Sequence, residues 1–357
     1  MRKTQPRSTN LEMLEPRQLL SSSGQAVLAS NGTLTITGTN GDDTILLENG
    51  GPAVILNGKE FAFPDSSATR VVVNCLKGDD NVLVGENFAD DNPLTINLDA
   101  GNNSVLLQDA QAGITAGNGN NAVTIAGNIA LDYFRAGNGV NTLDLTPAIQ
   151  PQTFDLTQYP SVSRLINAQY NVICNNRGDD IQLTDNNIGH TVWGGNGNDT
   201  VSGDSYADVF YGGRGDDTYF DQSNQDGLSD TFIGGGGSDT IDYSKYQRTA
   251  PITVDLAAGQ SSDAAGVRCI LVGIDNAVGG QGNDILIGNN HDNILIGGAG
   301  NDTITGNSGR DLLIGGTGDD VFYAQDKTRD TILGGSGFDT AVSDRKDLLF
   351  SIESTLP

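Results

Sequence analysis

The 357-residue sequence predicts an all-β protein, a parallel β-solenoid, on three observations. First, a glycine followed two residues later by Asp or Asn, and then by an alternating apolar run, recurs along the chain. The glycines stand at 41, 78, 101, 119, 139, 178, 197, 215, 237, 282, 300, 318 and 337, so most intervals lie near 18 to 23 residues or near twice that. Second, apolar residues make up 36% and aromatics 6%, against a globular norm of about 45–50% apolar, which suits a thin core shared between repeats. Third, the runs after each glycine are three to five residues long and rich in β-branched residues, too short to bury an apolar side alone but able to do so when stacked.

From about residue 194 each coil divides into two nine-residue halves. "GGQGNDILI", "GNNHDNILI", "GGAGNDTIT", "GNSGRDLLI" and "GGTGDDVFY" run from 279 to 323 without a gap. Their central strand residues, Leu286, Leu295, Ile304, Leu313 and Phe322, keep one register, as do Val201, Phe210 and Tyr219, and are expected to face inward together. That register argues against a disordered Gly/Asn-rich linker.

The sixth position of the nonapeptide carries the chemistry. It is Asp199, Asp208 and Asp217, then Asp230 and Asp239 after a four-residue insertion; further on it is Asp284, Asn293, Asp302, Asp311 and Asp320, then Asp330 and Asp339 after one extra residue. Residues eighteen apart stack on one edge, so Asp284, Asp302 and Asp320 form one column and Asp199 and Asp217 another. Like charges about 5 Å apart repel by about 3 kcal/mol at an effective dielectric of 20, so the columns call for a counter-ion. Calcium fits best: it takes six to eight oxygens in flexible geometry, and glycine turns can aim carbonyls at it, whereas magnesium demands tighter geometry and zinc prefers Cys and His.

These residues resemble the RTX, or hemolysin-type, calcium-binding nonapeptide GGxGxDxUx, with U a large apolar residue; residues 194 to 242 and 279 to 342 carry the likeness. The resemblance implies a calcium-bound β-roll in the C-terminal half, with sixth-position side chains and turn carbonyls caging several Ca2+ ions between coils. Asp199, Asp208, Asp217, Asp239, Asp284, Asp302, Asp311 and Asp320 are its best ligands, with Asp339 continuing the series. Asp230 and Asp330 lack the preceding Gly-Gly, and Asn293 keeps an oxygen without the charge. The segments "YSKYQRTAPITVDLAAG" and "LVGIDNAVGG" resemble the longer coils that join two such arrays.

Before residue 190 the sixth-position equivalents are Asp43, Asp80, Asn103, Asn121, Asn141 and Asp180. The asparagines are expected to stack as an uncharged amide ladder in an ion-poor solenoid, with turns at Gly50-Gly51, Asn57-Gly58 and Pro64-Asp65. The expected organisation is a sorting or export segment at 1–24, a degenerate solenoid at 25–190, roll blocks at 191–242 and 279–342 joined by long coils at 243–278, and a cap at 343–357. Leu14-Glu15-Pro16-Arg17-Gln18-Leu19-Leu20 resembles the LEPR-xLL segment near the N-termini of planctomycete-type surface proteins, which implies export or surface sorting.

A net charge of −26 repels nucleic acid and anionic membranes and attracts cations, and no apolar run is long enough to span a bilayer. Cys75, Cys174 and Cys269 each lie beside apolar runs and are expected to be buried free thiols. His190 and His291 are expected to be exposed and inert, and Trp193 to cap the first roll block. Together these features predict a secreted or cell-surface calcium-binding protein with a structural or adhesive role, whose further partners would be cell-surface polysaccharide or other surface proteins. The rival is a polysaccharide lyase or epimerase-like β-helix enzyme with an RTX tail; it finds only Asp132, Tyr133 and Arg135 as a tempting local group, with no HExxH or GxSxG. A pore-forming toxin would need an apolar or amphipathic helical region upstream of the repeats, and the sequence has none.

Overall fold

A computed structural model describes residues 24–48, 53–62, 68–85, 93–108, 112–126, 133–146, 153–155, 162, 164–168, 171–174, 176–184, 189–221, 229–245, 249–263 and 266–356. Among these every regular element is a β-strand, and no helix is long and apolar enough to cross a membrane. The chain forms two compact units, residues 1–139 and 140–357. The LEPR-xLL segment lies outside the described residues.

The first unit is built from two parallel ladders. One stacks Thr33–Thr37, Arg70–Leu76, Leu94–Leu98, Ala112–Thr115 and Tyr133–Arg135; the other stacks Thr44–Glu48, Asn81–Val84, Ser104–Gln108 and Ala122–Ala126. Alternation sends Leu34, Ile36, Val71, Val73 and Ile96 inward from one ladder and Ile45, Leu47, Val82, Val84 and Val105 from the other, each at most 3% exposed. Full burial of each such side chain is worth about 1.5–3 kcal/mol. The long interval between Gly41 and Gly78 holds an antiparallel meander in which Thr44–Glu48 pairs with Ala53–Leu56 and that strand with Lys59–Ala62. Its expected turn is present at Asn57-Gly58, where φ is +51° and +76°, the backbone that a tight two-residue hairpin demands. The other two expected turns fall outside the described residues.

The second unit continues the same plan within its own boundaries. One ladder runs from Thr142–Thr146 through Arg164–Ala168, Asp180–Leu183, Thr200–Ser202, Thr218–Phe220, Thr240–Asp242, Asn276–Val278, Ile294–Ala299, Leu312–Thr317 and Thr331–Ser336 to Leu348–Phe350. The opposite ladder runs from Thr153–Asp155 through Asn171–Ile173, Thr191–Asn196, Val209–Arg214 and Asp230–Gly236 to Gly266–Val272. It then passes through two antiparallel pairings, Gly266–Val272 with Gln260–Asp263 and that strand with Thr253–Asp255. From Thr253–Asp255 the parallel stack resumes as Ile285–Ile287, Thr303–Thr305, Val321–Ala324, Thr340–Ser343 and Ser354–Leu356.

Between the two arrays the chain therefore makes an antiparallel insertion on one ladder, while Asn276–Val278 keeps the other ladder in step. The expected central residues Val201, Phe210, Tyr219, Leu286, Leu295, Ile304, Leu313 and Phe322 are all fully buried. Phe210 and Phe232 stack with centroids 5.1 Å apart and planes 8° apart, with Tyr219 tilted against both, so bulky rings thicken the core there. Cys75, Cys174 and Cys269 are buried free thiols, as expected. Trp193 is not a cap: Ile173 of the preceding coil pairs beside it, and its ring lies on the outer face, stacked parallel on Tyr211 at 6.2 Å. Alternation explains this, since Val192 takes the inward place.

Candidate metal centres

Where a strand begins, the preceding residue turns its side chain along the edge of the coil toward its neighbours. Parallel pairing at an interval of one coil puts these side chains in register, and two columns result in the second unit. The first follows Asp179, Asp199, Asp217, Asp239 and Asp275: each backbone N–H donates to a carboxylate oxygen of the next, at 2.8, 2.8, 2.9 and 3.1 Å. It continues through Asn293, Asp311, Asp330 and Asp347 by the same bonds, at 2.8, 2.9 and 3.1 Å. The second begins at His190, Asp208 and Asp230 and, past the antiparallel insertion, resumes as Asp284, Asp302, Asp320, Asp339 and Glu353.

All twelve sixth-position residues named from the sequence lie in these columns, each at most 2% exposed: Asp199, Asp208, Asp217, Asp230, Asp239, Asp284, Asn293, Asp302, Asp311, Asp320, Asp330 and Asp339. The missing Gly-Gly before Asp230 and Asp330 does not displace them. Sequence reasoning missed Asp347 and Glu353, which have no glycine two residues before them, and Asp275, which follows Gly273 at φ +66° but lies in the stretch read as a joining coil. It also aligned Asp180 where Asp179 belongs. Ile181 and Leu183 face inward, so Asp180 turns outward and pairs with Arg164 at 3.2 Å, while Asp179 is buried.

One oxygen of each aspartate is committed to the ladder, and the other decides the chemistry. In Asp199, Asp217, Asp239, Asp302, Asp311, Asp320, Asp330 and Asp339 the second oxygen, Oδ2, is buried without a hydrogen-bond partner. A buried carboxylate oxygen in that state is costly. Burial foremost pushes these acids up, Asp199, Asp302 and Asp311 to about 7 and Asp239, Asp320 and Asp330 to about 6, while the ladder N–H bonds pull the other way. Asp230 is pushed up as well, by burial first and then by the neighbouring Asp221 carboxyl, to which it is hydrogen-bonded.

Glycine makes room at the same spot. A methyl group built on Gly297 would collide with Oδ2 of Asp302 and lie 2.8 Å from the carbonyl oxygen of Gly315; on Gly315 it would collide with Oδ2 of Asp320 and lie 2.6 Å from the carbonyl oxygen of Gly334. A carboxylate oxygen and a carbonyl from the next coil thus converge beside a residue that has no side chain. This all-oxygen donor set fits a hard divalent cation.

Three members are satisfied differently. Oδ2 of Asp284 accepts the Gly280 N–H at 2.6 Å, and Oδ2 of Asp208 accepts the Asp204 N–H at 2.9 Å. Asn293 turns its amide to the carbonyl of Asp275 at 2.7 Å and to Asn289 at 3.2 Å, so an N–H group does there what a cation does elsewhere. The first unit extends that substitution. Asn103 donates to Asn121 at 2.9 Å and to the carbonyls of Asp99 and Gly101 at 3.2 Å, which is the expected amide ladder. Asp80 keeps a buried oxygen without a hydrogen-bond partner.

A second, exposed ladder had no counterpart in the sequence reading. The fifth-position side chain accepts the N–H of the following coil: Asn283 from Asn301 at 2.8 Å, Asn301 from Asp319 at 2.9 Å and Asp319 from Phe338 at 2.7 Å. The Asn-Asp pair therefore bonds in both directions along the stack.

The two histidines differ. His291 is exposed, as expected, but His190 is only 2% exposed, with Nδ1 3.1 Å from Asp204 and 3.4 Å from Asp208. The reason is register: His190 stands eighteen residues before Asp208 and so occupies a column position. Burial works against its protonation, yet the two carboxylates outweigh this and hold it up to about 9.

The model of the RTX calcium-binding nonapeptide repeat matches residues 193–220, 226–244, 272–304, 296–326 and 305–341. The chain carries RTX calcium-binding nonapeptide repeats. RTX repeats bind calcium ions, several per repeat region. The matched RTX segments coincide with the two stretches in which the columns carry buried aspartates, and the unmatched residues 245–271 contain the antiparallel insertion. No curated protein matches the chain.

Proposed function

We propose that the protein is a secreted or cell-surface calcium-binding β-roll with a structural or adhesive role, folded and stiffened by extracellular calcium. The observation that supports this reading most is the set of eight buried aspartate oxygens without hydrogen-bond partners, each in a column of like charge. Asp199, Asp217, Asp239, Asp302, Asp311, Asp320, Asp330 and Asp339 would hold the ions together with turn carbonyls such as those of Gly315 and Gly334; Asp208, Asp230 and Asp284 would add charge from the same columns. Bound calcium supplies positive charge that cancels carboxylate repulsion. The chain's own part is to present oxygens at a fixed coil interval and to leave glycine where a side chain would block them.

Because such sites are absent from an unfolded chain, ion binding is folding free energy, and a calcium-poor cytosol leaves the roll loose until export. In this reading 1–24 directs export, 25–190 is the ion-poor solenoid, 191–242 and 279–342 are the calcium blocks, 243–278 joins them and 343–357 closes the end. The partners would be cell-surface polysaccharide or other surface proteins. The test is circular dichroism of the full chain during dialysis against chelator, with a count of bound calcium on its return. Loss and recovery of β signal with several ions per chain is expected; an unchanged spectrum refutes the calcium-coupled fold.

A further inference from the structure

We propose that His190, Asp204 and Asp208 form a separate metal site that takes a borderline divalent transition metal, of which zinc is the type, in preference to calcium. Two departures from the repeat create it. His190 stands at the column position that the neighbouring coils fill with aspartate, and Asp204 stands at the second nonapeptide position, where Gly195, Gly213, Gly298, Gly316 and Gly335 stand in other copies. The histidine is what disfavours calcium: an imidazole nitrogen is a poor donor to calcium and a good one to zinc, cobalt or nickel, while the added carboxylate serves either kind of ion.

The geometry is that of a ligand set. One donor atom from each of the three residues lies within 4.8 Å of the other two. Nδ1 of His190 is 3.1 Å from Oδ2 of Asp204 and 3.4 Å from Oδ1 of Asp208, and all three side chains are about 1% exposed. Tetrahedral bonds of about 2.0–2.1 Å place adjacent donors about 3.3 Å apart, and the two nitrogen–oxygen separations match that spacing. Oδ2 of Asp204 is buried and faces Nδ1 of His190, so an ion seated between them would replace that pairing.

Asp208 is held in place by the His190 N–H at 2.8 Å and the Asp204 N–H at 2.9 Å, and the Tyr219 hydroxyl approaches its Oδ2 at 3.5 Å. The three ligands come from two successive coils, so the site needs the roll folded but does not need the calcium columns to be zinc-binding or to share ions with it. The competing occupant is a proton: an imidazolium between two carboxylates would fill the same space without metal.

The test uses the full chain refolded in millimolar calcium, titrated with cobalt(II) as the spectroscopic probe and with zinc, and counted by elemental analysis. One transition ion per chain is expected on top of the calcium, with cobalt absorption of nitrogen and oxygen ligation that millimolar calcium does not displace. His190→Asn should weaken cobalt binding by more than the roughly 10–100-fold that loss of an outer-shell partner costs, with the calcium count and circular dichroism retained. Asp204→Asn keeps the imidazole and should weaken it likewise, which covers a His190 variant that fails to fold; His291→Ala and Asp302→Asn should leave cobalt binding unchanged. Absence of a bound transition ion in the calcium-loaded protein, displacement by calcium, or binding indifferent to both His190→Asn and Asp204→Asn overturns the proposal and leaves a buried ion pair. Loss of calcium response overturns the calcium reading instead, and the two failures are read separately.

Discussion

Asp302→Asn is the sharpest test of why the columns need an ion. Asp302 receives the Asp284 N–H on Oδ1 at 2.8 Å, donates its own N–H to Asp320 at 2.8 Å, and leaves Oδ2 buried beside Gly297 without a hydrogen-bond partner. An asparagine can keep the accepted bond through its carbonyl while its amide replaces the bare oxygen. The molecule already contains the outcome at Asn103, whose amide donates to Gly101 and Asp99 carbonyls and to Asn121. One column neighbour at about 5 Å repels by about 3 kcal/mol at an effective dielectric of 20, and screening at the edge of the coil reduces that. The substitution should therefore raise the stability of the chelated protein by about 1–3 kcal/mol, read as a higher denaturant midpoint, while the calcium count falls by at least one. Asn103→Asp is the reciprocal change and should lower stability in chelator by a similar amount. An Asp302→Asn protein less stable than the parent in chelator, or one with an unchanged calcium count, refutes the reasoning.

Gly315→Ala would drive a methyl into Oδ2 of Asp320 and to 2.6 Å from the Gly334 carbonyl, so calcium affinity should drop at least about 10-fold by calorimetric titration, with core signals retained. Phe232→Ala removes a fully buried ring from the stack with Phe210 and should cost about 3–5 kcal/mol in denaturant unfolding, in calcium as well as in chelator. Acid should act oppositely on the two states. Burial raises Asp199, Asp302 and Asp311 to about 7 and Asp239, Asp320 and Asp330 to about 6, above the 3.8 of the free side chain. A raised folded pKa stabilises below the unfolded value and is lost as pH rises through the folded one, so the ion-free roll should gain β signal as pH falls from about 8 to 4. Protons compete for the same oxygens, so calcium affinity should decline over about pH 7 to 5; circular dichroism and calcium titration at stepped pH check both limbs.

The repeat, the inward register of Leu286, Leu295, Ile304, Leu313 and Phe322, and the columns of sixth-position aspartates were all legible in the residues themselves. They are local and periodic: a strand alternates every second residue, a turn needs its glycine where φ is positive, and a constant interval carries each position onto its copy. What tertiary structure alone decided is which residues complete a column when the interval breaks. Asp275 and Glu353 enter because backbone pairing restores the register across insertions that contain no nonapeptide, and Asp179 displaces Asp180 because the inward side chains, not the glycine count, set the phase. His190 is the plainest case. Its sequence context reads as an exposed turn, and only the stacking of one coil on the next places its ring beside Asp204 and Asp208, because contact between residues 14 and 18 apart exists only once the coil has closed.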